Sequence, residues 1–278
     1  MRQRVRCRSA LALPLALALV ATPLVAAELP LWELGLGVAG LSLPHYRGAE
    51  KSTRWLLPVP YAVYRGEVLR ANRDGVKALL FDTDRADLDL SLSATAPSRS
   101  ADEPVRQGMP DLKGTLEFGP NLNLRLARGP GWKLELRLPV RAAFTLESSP
   151  RAIGWSVSPN LNVDHALGAW NLGAQVGLLW ADRKLNSYFY DVAPAYVTAA
   201  RPGFSADVGR AGWQGTLGLS RRDKNRWFGA FLRSDSLAGS RLADSPLVRR
   251  THNMSFGVAL SWVLWESDRL VPDREALR

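Results

Sequence analysis

The sequence predicts an all-β fold, a transmembrane antiparallel β-barrel of about twelve strands. Three observations predict it. Apolar side chains recur at every second position through most of the chain after residue 28, where no long amphipathic helix pattern appears. The alternating segments approach the ~9–11 residues of a tilted strand that crosses a bilayer, longer than the ~5–6 typical of soluble sheets. Between the apolar positions stand Asn, Asp, Ser, Gly, Arg and Glu, the residue types of a wet or hydrogen-bonded lumen wall.

The chain opens with Arg2, Arg4, Arg6 and Arg8 and no acid, continues through an apolar run interrupted by Pro14 and Pro23, and reaches Ala26-Ala27. This layout predicts a secretory signal peptide over 1–27, cleaved near Ala27; the run is shorter than the roughly 20 residues of a spanning helix. Cys7 is the only cysteine and leaves with that segment, so disulfides, thiol nucleophiles and thiolate metal sites are excluded from the exported product. The formal charge falls from +10 to +6 once the four arginines are removed. Export argues against a nucleic-acid partner; anionic lipid, lipopolysaccharide phosphates and murein carboxylates are the available counter-charges, beside a merely solvated basic surface.

The elements follow in order. Trp32, Leu34, Leu36 and Val38 alternate with Glu33, Gly35, Gly37 and Ala39, a strand near 31–41. Trp55, Leu57, Val59, Tyr61 and Val63 form the expected lipid face of a strand near 54–64, which puts Pro58 and Pro60 inward, where their missing donors suggest a bulge or kink. Strands near 67–73 and 75–81 are joined by Asp74-Gly75, a good hairpin dipeptide. If that pair is a surface hairpin, the barrel has ten strands. Leu88, Leu90 and Leu92 against Asp87 and Asp89 give a strand near 86–94, and the leucines opposing Asn121, Asn123 and Arg125 give one near 113–126. WKLELRLPV opens the strand near 132–144, and further strands follow near 153–164, 169–181, 211–220, 226–235 and 252–265.

Short turns at 127–131, 165–169 and 221–225 alternate with long segments at 42–53, 95–112, 183–210 and 236–250, which places both termini in the periplasm and the long loops outside. Trp32, Trp55, Trp132, Trp155, Trp170, Trp180 and Trp227 near strand ends suit an interfacial girdle. Asp87, Asp89, Arg125, Lys133, Glu135, Arg137 and Arg141 are the expected lumen-facing charges. The domain reading is therefore a signal at 1–27, a barrel over 28–265 and a periplasmic tail over 266–278.

No cofactor or metal site is expected. His45, His165 and His252 match no zinc spacing and read as solvated. DTDRADLD at 82–89 lacks the glycine and final glutamate of an EF-hand loop. The nearest catalytic arrangement is THNMS at 251–255, and a regular strand would put His252 and Ser255 on opposite faces.

PHYRGAE at 44–50, PVPYAVYRG at 58–66, Asp74-Gly75, GMPDL at 108–112, EFGPNL at 117–122 and DSPLV at 244–248 carry a resemblance over essentially the whole exported chain. The sequence resembles the MltA-interacting protein (MipA/OmpV) family of outer-membrane proteins. The resemblance implies a barrel in a Gram-negative outer membrane, not an enzyme, that serves as a scaffold for a lytic murein transglycosylase and a bifunctional penicillin-binding protein. Candidate family-motif positions are Pro58, Pro60, Tyr61, Tyr64, Arg65, Gly66, Gly108, Met109, Asp111, Ser245 and Pro246, several of which also suit turns. Two rival functions stay open: a narrow channel lined by the inward charges, and a lipid-modifying enzyme at the rim.

Overall fold

The computed structural model describes residues 28–66, 69–72, 75–78, 81–83 and 85–272. The expected signal peptide at 1–27, Asp74 of the expected hairpin turn, Asp84 of the acidic run and residues 273–278 of the expected tail lie outside the described residues. The strands are β1 (Glu28–Pro30), β2 (Trp32–Pro44), β3 (Ser52–Arg65), β4 (Leu69–Asn72), β5 (Gly75–Ala78), β6 (Phe81–Asp82), β7 (Ala86–Thr95) and β8 (Thr115–Gly129). They continue with β9 (Trp132–Thr145), β10 (Ala152–Val157), β11 (Asn160–Leu167), β12 (Trp170–Ala181), β13 (Gly209–Asp223), β14 (Arg226–Ser236), β15 (His252–Glu266) and β16 (Leu270–Pro272). Among the described residues one α-helix, α1 (Arg183–Tyr190), lies between β12 and β13.

The wall is a single antiparallel ladder in the order β5-β4-β3-β2-β15-β14-β13-β12, then β10 with β11, then β9-β8-β7-β6. The last long strand β15 pairs with the first, β2, from Phe256↔Ser42 to Glu266↔Glu33, which wraps the sheet on itself. The expected strand near 153–164 is divided: β10 and β11 pair with successive parts of β9, and the break falls at Ser158-Pro159, where proline has no N–H to give the ladder. The Asp-Gly hairpin belongs to the wall, because β4 pairs with β3 at Tyr64↔Ala71 and β5 with β4. Among the described residues the ladder ends β5 and β6 are not joined by hydrogen bonds, yet only residues 79–80 separate them in the chain. Among the described residues fourteen strands, β2 to β15, share this sheet, or thirteen staves when β10 and β11, which both lie between β9 and β12, are counted as one.

Alternation decides which way each stave faces. On β2, Leu34, Leu36 and Val38 are exposed on the outer surface while Glu33 is 2% exposed. On β3 the orientation is the reverse of the expected one. The Tyr61 hydroxyl bonds to Glu33 inside the barrel, and Leu56 is 77% exposed outside, so Pro58 and Pro60 face outward with Leu56. No register shift interrupts the β2–β3 pairing, so the prolines mark no bulge. Gly35 and Gly37 stand opposite Tyr61 and Val59 in the register, and a side chain at either glycine would press on β15, at the Trp262 carbonyl or the Ser261 side chain. Trp55 follows Tyr61 inward, as does Trp227, whose ring lies 6.3 Å from Tyr61 and whose register partner is the buried Ser261; these two leave the girdle. Trp132, Trp155, Trp180, Trp213, Trp262 and Trp265 are exposed.

β15 runs one residue past the expected boundary, and the described part of the tail folds back: Glu28, Leu29 and Pro30 of β1 pair with Pro272, Val271 and Leu270 of β16. The two ends are clasped together beside the short turns. All the long loops gather at the opposite end, and there the apolar core sits. Tyr46, Leu112, Leu185, Tyr190, Leu237 and Leu242 belong to one buried cluster that forms a lid over the barrel.

Candidate functional site: the lumen and its lid

The lid is assembled from loops distant in sequence. The Tyr46 hydroxyl donates to the Leu247 carbonyl (2.6 Å), and the Tyr190 hydroxyl donates to the Arg47 carbonyl (3.0 Å). Ser245 Oγ donates to the Tyr190 carbonyl (2.8 Å) and accepts from the Leu247 N–H. Arg106 lies over the Tyr46 ring, 5.7 Å from its centroid, and donates to the Pro110 carbonyl; Asp111 Oδ1 accepts from the Ser100 N–H (2.7 Å). Burial raises the phenol pKa of both Tyr46 and Tyr190, and the nearby Glu103 carboxylate adds to the rise for Tyr46. α1 starts where Asp182 Oδ1 accepts from the Leu185 N–H (2.9 Å), an N-cap that turns Leu185 into the core.

His45 is not the solvated loop histidine its spacing suggested. Its ring bonds to Glu103 Oε2 (3.1 Å) and Thr53 Oγ1 (3.0 Å), and Glu103, fully buried, also accepts from the Glu50 and Lys51 N–H groups. A buried carboxylate needs such partners. His165 is half-buried on β11, and His252 is exposed.

Below the lid the inner wall carries linked charge clusters. Nearest the chain ends, Glu33 accepts from Arg65 Nη2 (2.8 Å), Tyr61 and Arg222, and the Arg65 guanidinium also donates to the Pro30 carbonyl. On β9, Glu135 binds Lys133 (3.2 Å) and Arg137 (2.8 Å), and Arg137 reaches on to Asp164 (3.3 Å). Arg125 stands opposite Glu135 in the β8–β9 register. Asn123 donates to Asp87 (2.6 Å) and to Asp89 (3.0 Å), and Asn121 donates to Asp89 (2.9 Å), so neutral amides separate two carboxylates that would otherwise repel. Higher up, Asp235 is shared by Arg47 (3.0 Å) and Arg233 (2.8 Å). Arg141 bonds to Ser91 (2.7 Å) and Ser158 (3.0 Å).

Between these clusters and the lid lies a cavity of about 400 Å³, bounded by Tyr46, Tyr190 and Leu185 above and by Asp89, Arg141, Arg233 and Asp235 on the wall. Its polar lining suits a charged or amphiphilic molecule. His252 Nδ1 has Thr251 Oγ1 at 3.2 Å and is exposed, whereas Ser255 is buried on the inner face, so the two do not form a nucleophile and base pair.

The motif positions divide into two places. Pro58, Pro60, Tyr61, Tyr64, Arg65 and Gly66 lie along β3 and just past its end, with Tyr61 and Arg65 on the Glu33 cluster. Gly108, Met109, Asp111, Ser245 and Pro246 belong to the lid loops, where Gly108 adopts φ +79° and the Met109 N–H donates to the Arg106 carbonyl. The segments 44–50, 108–112 and 244–248 thus share one end of the molecule. The buried lid core itself was not foreseen; the Asp182 cap and the run Tyr188-Phe189-Tyr190 were its visible signals.

A comparison with curated protein sequences returned no match. Among solved structures, a bacterial polysaccharide outer membrane secretin aligns at 11% identity over 84% of this chain and 99% of its own, with a TM-score of 0.42. An outer membrane channel from Pseudomonas putida F1 aligns at 12% identity over 88% and 100%, with a TM-score of 0.44. Outer membrane phospholipase A from Escherichia coli aligns at 10% identity over 83% and 92%, with a TM-score of 0.33. The family model described as MltA-interacting protein MipA matches residues 36–264, so this chain, a β-barrel of the outer membrane, belongs to the MipA family.

Proposed function

We propose that this barrel is a non-enzymatic adaptor of the outer membrane that holds a lytic murein transglycosylase, together with a bifunctional penicillin-binding protein, at the periplasmic surface. The family description supplies the transglycosylase as the partner class. The observation that carries the reading is the lumen. The Glu33–Arg65–Arg222 and Glu135–Arg137–Asp164 clusters cross-link inward side chains in the periplasmic half, and the packed lid covers the other end. A lumen occupied in this way suits a protein that works through its surfaces better than an open pore. A narrow channel is the second reading, favoured by the cavity beneath the lid.

The test immobilises the detergent-solubilised barrel and passes purified lytic transglycosylase over it, with a soluble periplasmic protein of similar charge as control. Saturable retention of the transglycosylase alone supports the adaptor. Equal retention of both, or of neither, refutes it.

A further inference from the structure

The cavity beneath the lid has two unlike sides. Tyr46, Phe189 and Tyr190 cover it with rings: those of Tyr46 and Tyr190 meet edge to face at 6.3 Å, and the Phe189 ring lies 6.2 Å from that of Tyr190. Both phenol protons are already spent on the Leu247 and Arg47 carbonyls, so a guest meets this side chiefly as apolar ring. The wall is the opposite. Six carboxamides and five serines line the cavity, against four arginines and three carboxylates.

Those charges are matched. Asp235 is shared by Arg47 and Arg233, Arg137 holds Glu135, and Arg141 faces the Glu117 and Asp89 carboxylates as well as Arg47 and Arg233. A guest with a net charge would have to compete inside one of these pairs, at a desolvation cost that a neutral guest does not meet. The cavity therefore favours a neutral molecule.

Two of its amides lack a donor. Asn121 Nδ2 donates to Asp89 Oδ1 (2.9 Å) and Asn123 Oδ1 (2.8 Å), and Asn160 Nδ2 donates to the Ser158 carbonyl (2.8 Å), which fixes the oxygen end of each amide. Both residues are more than nine-tenths buried, and among the described residues neither Oδ1 receives a hydrogen bond. They flank β9: Asn121 stands opposite Pro139 from β8, and Asn160 stands opposite Arg137 from β11. A buried acceptor without a donor is costly, and Pro139 has no N–H to lend.

A sugar matches both sides. Each hydroxyl donates one hydrogen bond and accepts others, which suits a wall of carbonyls, amides and hydroxyls, while the C–H face of the ring can pack on aromatic side chains. The volume of about 400 Å³ lies within the ~300–1,000 Å³ of small-molecule sites. We propose that the cavity beneath the lid is a binding site for a neutral saccharide of one or two rings, whose hydroxyls donate to Asn121 and Asn160 and whose ring lies under Tyr46, Phe189 and Tyr190. The site does not depend on the adaptor reading, and failure to retain a transglycosylase would leave it standing.

The test uses the intact exported barrel in lauryldimethylamine oxide, a detergent without a sugar head, dialysed to equilibrium against radiolabelled glucose, N-acetylglucosamine or maltose. At least one of the three should bind saturably at one per chain, and at least tenfold more tightly than glucuronate and glucosamine, which carry a charge on the same ring. Asn160→Leu should weaken that binding at least tenfold. Asn162→Leu, on the same face of β11 but outside the cavity lining, should not. Where Asn160→Leu loses its heat-modifiable mobility, the wild-type lid decides: saturating sugar should slow protease cleavage within 182–208 by about threefold or more, because the guest packs against Leu185, Phe189 and Tyr190. No saturable binding of any of the three sugars, equal binding of the charged rings, a folded Asn160→Leu that binds as wild type, equal weakening by Asn162→Leu, or unchanged cleavage would each overturn the proposal.

Discussion

Leu136→Arg probes the wall at its most regular point. Leu136 stands between Leu124 of β8 and Leu161 of β11 in an outward apolar row, one residue from Glu135 and Arg137 on the opposite face. Arginine on the lipid face near the bilayer midplane costs about 2–4 kcal/mol, and only about 0–1 near the interfaces. The row leaves no inward carboxylate for the new guanidinium to reach, so the predicted loss lies in the upper range. Arg137→Leu is the control. It removes hydrogen bonds to Glu135 and Asp164, but Lys133 stays 3.2 Å from Glu135, so the carboxylate keeps a cation. Its expected cost is about 1.5–3 kcal/mol, the worth of hydrogen bonds to charged groups. Glu135→Gln, which would take from Lys133 its 3.2 Å partner, should recover none of the loss from Leu136→Arg. The assay is denaturant unfolding from phosphatidylcholine vesicles followed by tryptophan fluorescence. A cost for Leu136→Arg below about 1 kcal/mol, or its rescue by Glu135→Gln, would refute the facing of β9.

The lid and the tail supply two further predictions. Because burial raises the phenol pKa of Tyr46 and Tyr190, the folded lid holds their protons more tightly than the open one; its stability is complete below about pH 10 and falls as pH rises beyond that. Protease cleavage within 182–208 should therefore accelerate above pH 10 while the barrel keeps its heat-modifiable mobility, and an unchanged cleavage rate would contradict the lid energetics. Deleting residues 267–278 removes the partner of β1 but leaves the whole β15–β2 ladder. The truncated protein should still assemble in the outer membrane, and its loss would show that the clasp is required for insertion.

The sequence shows the barrel wherever one face of a strand is polar. β8 and β9 were legible because Asn121, Asn123, Glu135 and Arg137 mark the inner face against rows of leucine. β3 was not, since RWLLPVPYAVYR is apolar on both faces, and its inward side is marked only by contacts distant in sequence, such as that of Tyr61 with Glu33. The break at Pro159 was visible as a proline but not as a division of the strand. The lid was least legible. Tyr46 meets Leu247 across 201 positions and His45 meets Glu103 across 58, and no local periodicity encodes such contacts. Motif segments 44–50, 108–112 and 244–248 were found by resemblance, and only the fold brings them to one end.

Single-channel recording in a planar bilayer tests the central claim most directly, since an adaptor with a cross-linked lumen and a packed lid should not conduct. The account predicts a flat baseline for the intact protein, and steps only after the barrier is dismantled, as in a variant combining Glu33→Ala, Arg222→Ala and deletion within the 182–208 loop. Reproducible, uniform steps from the intact protein would contradict it.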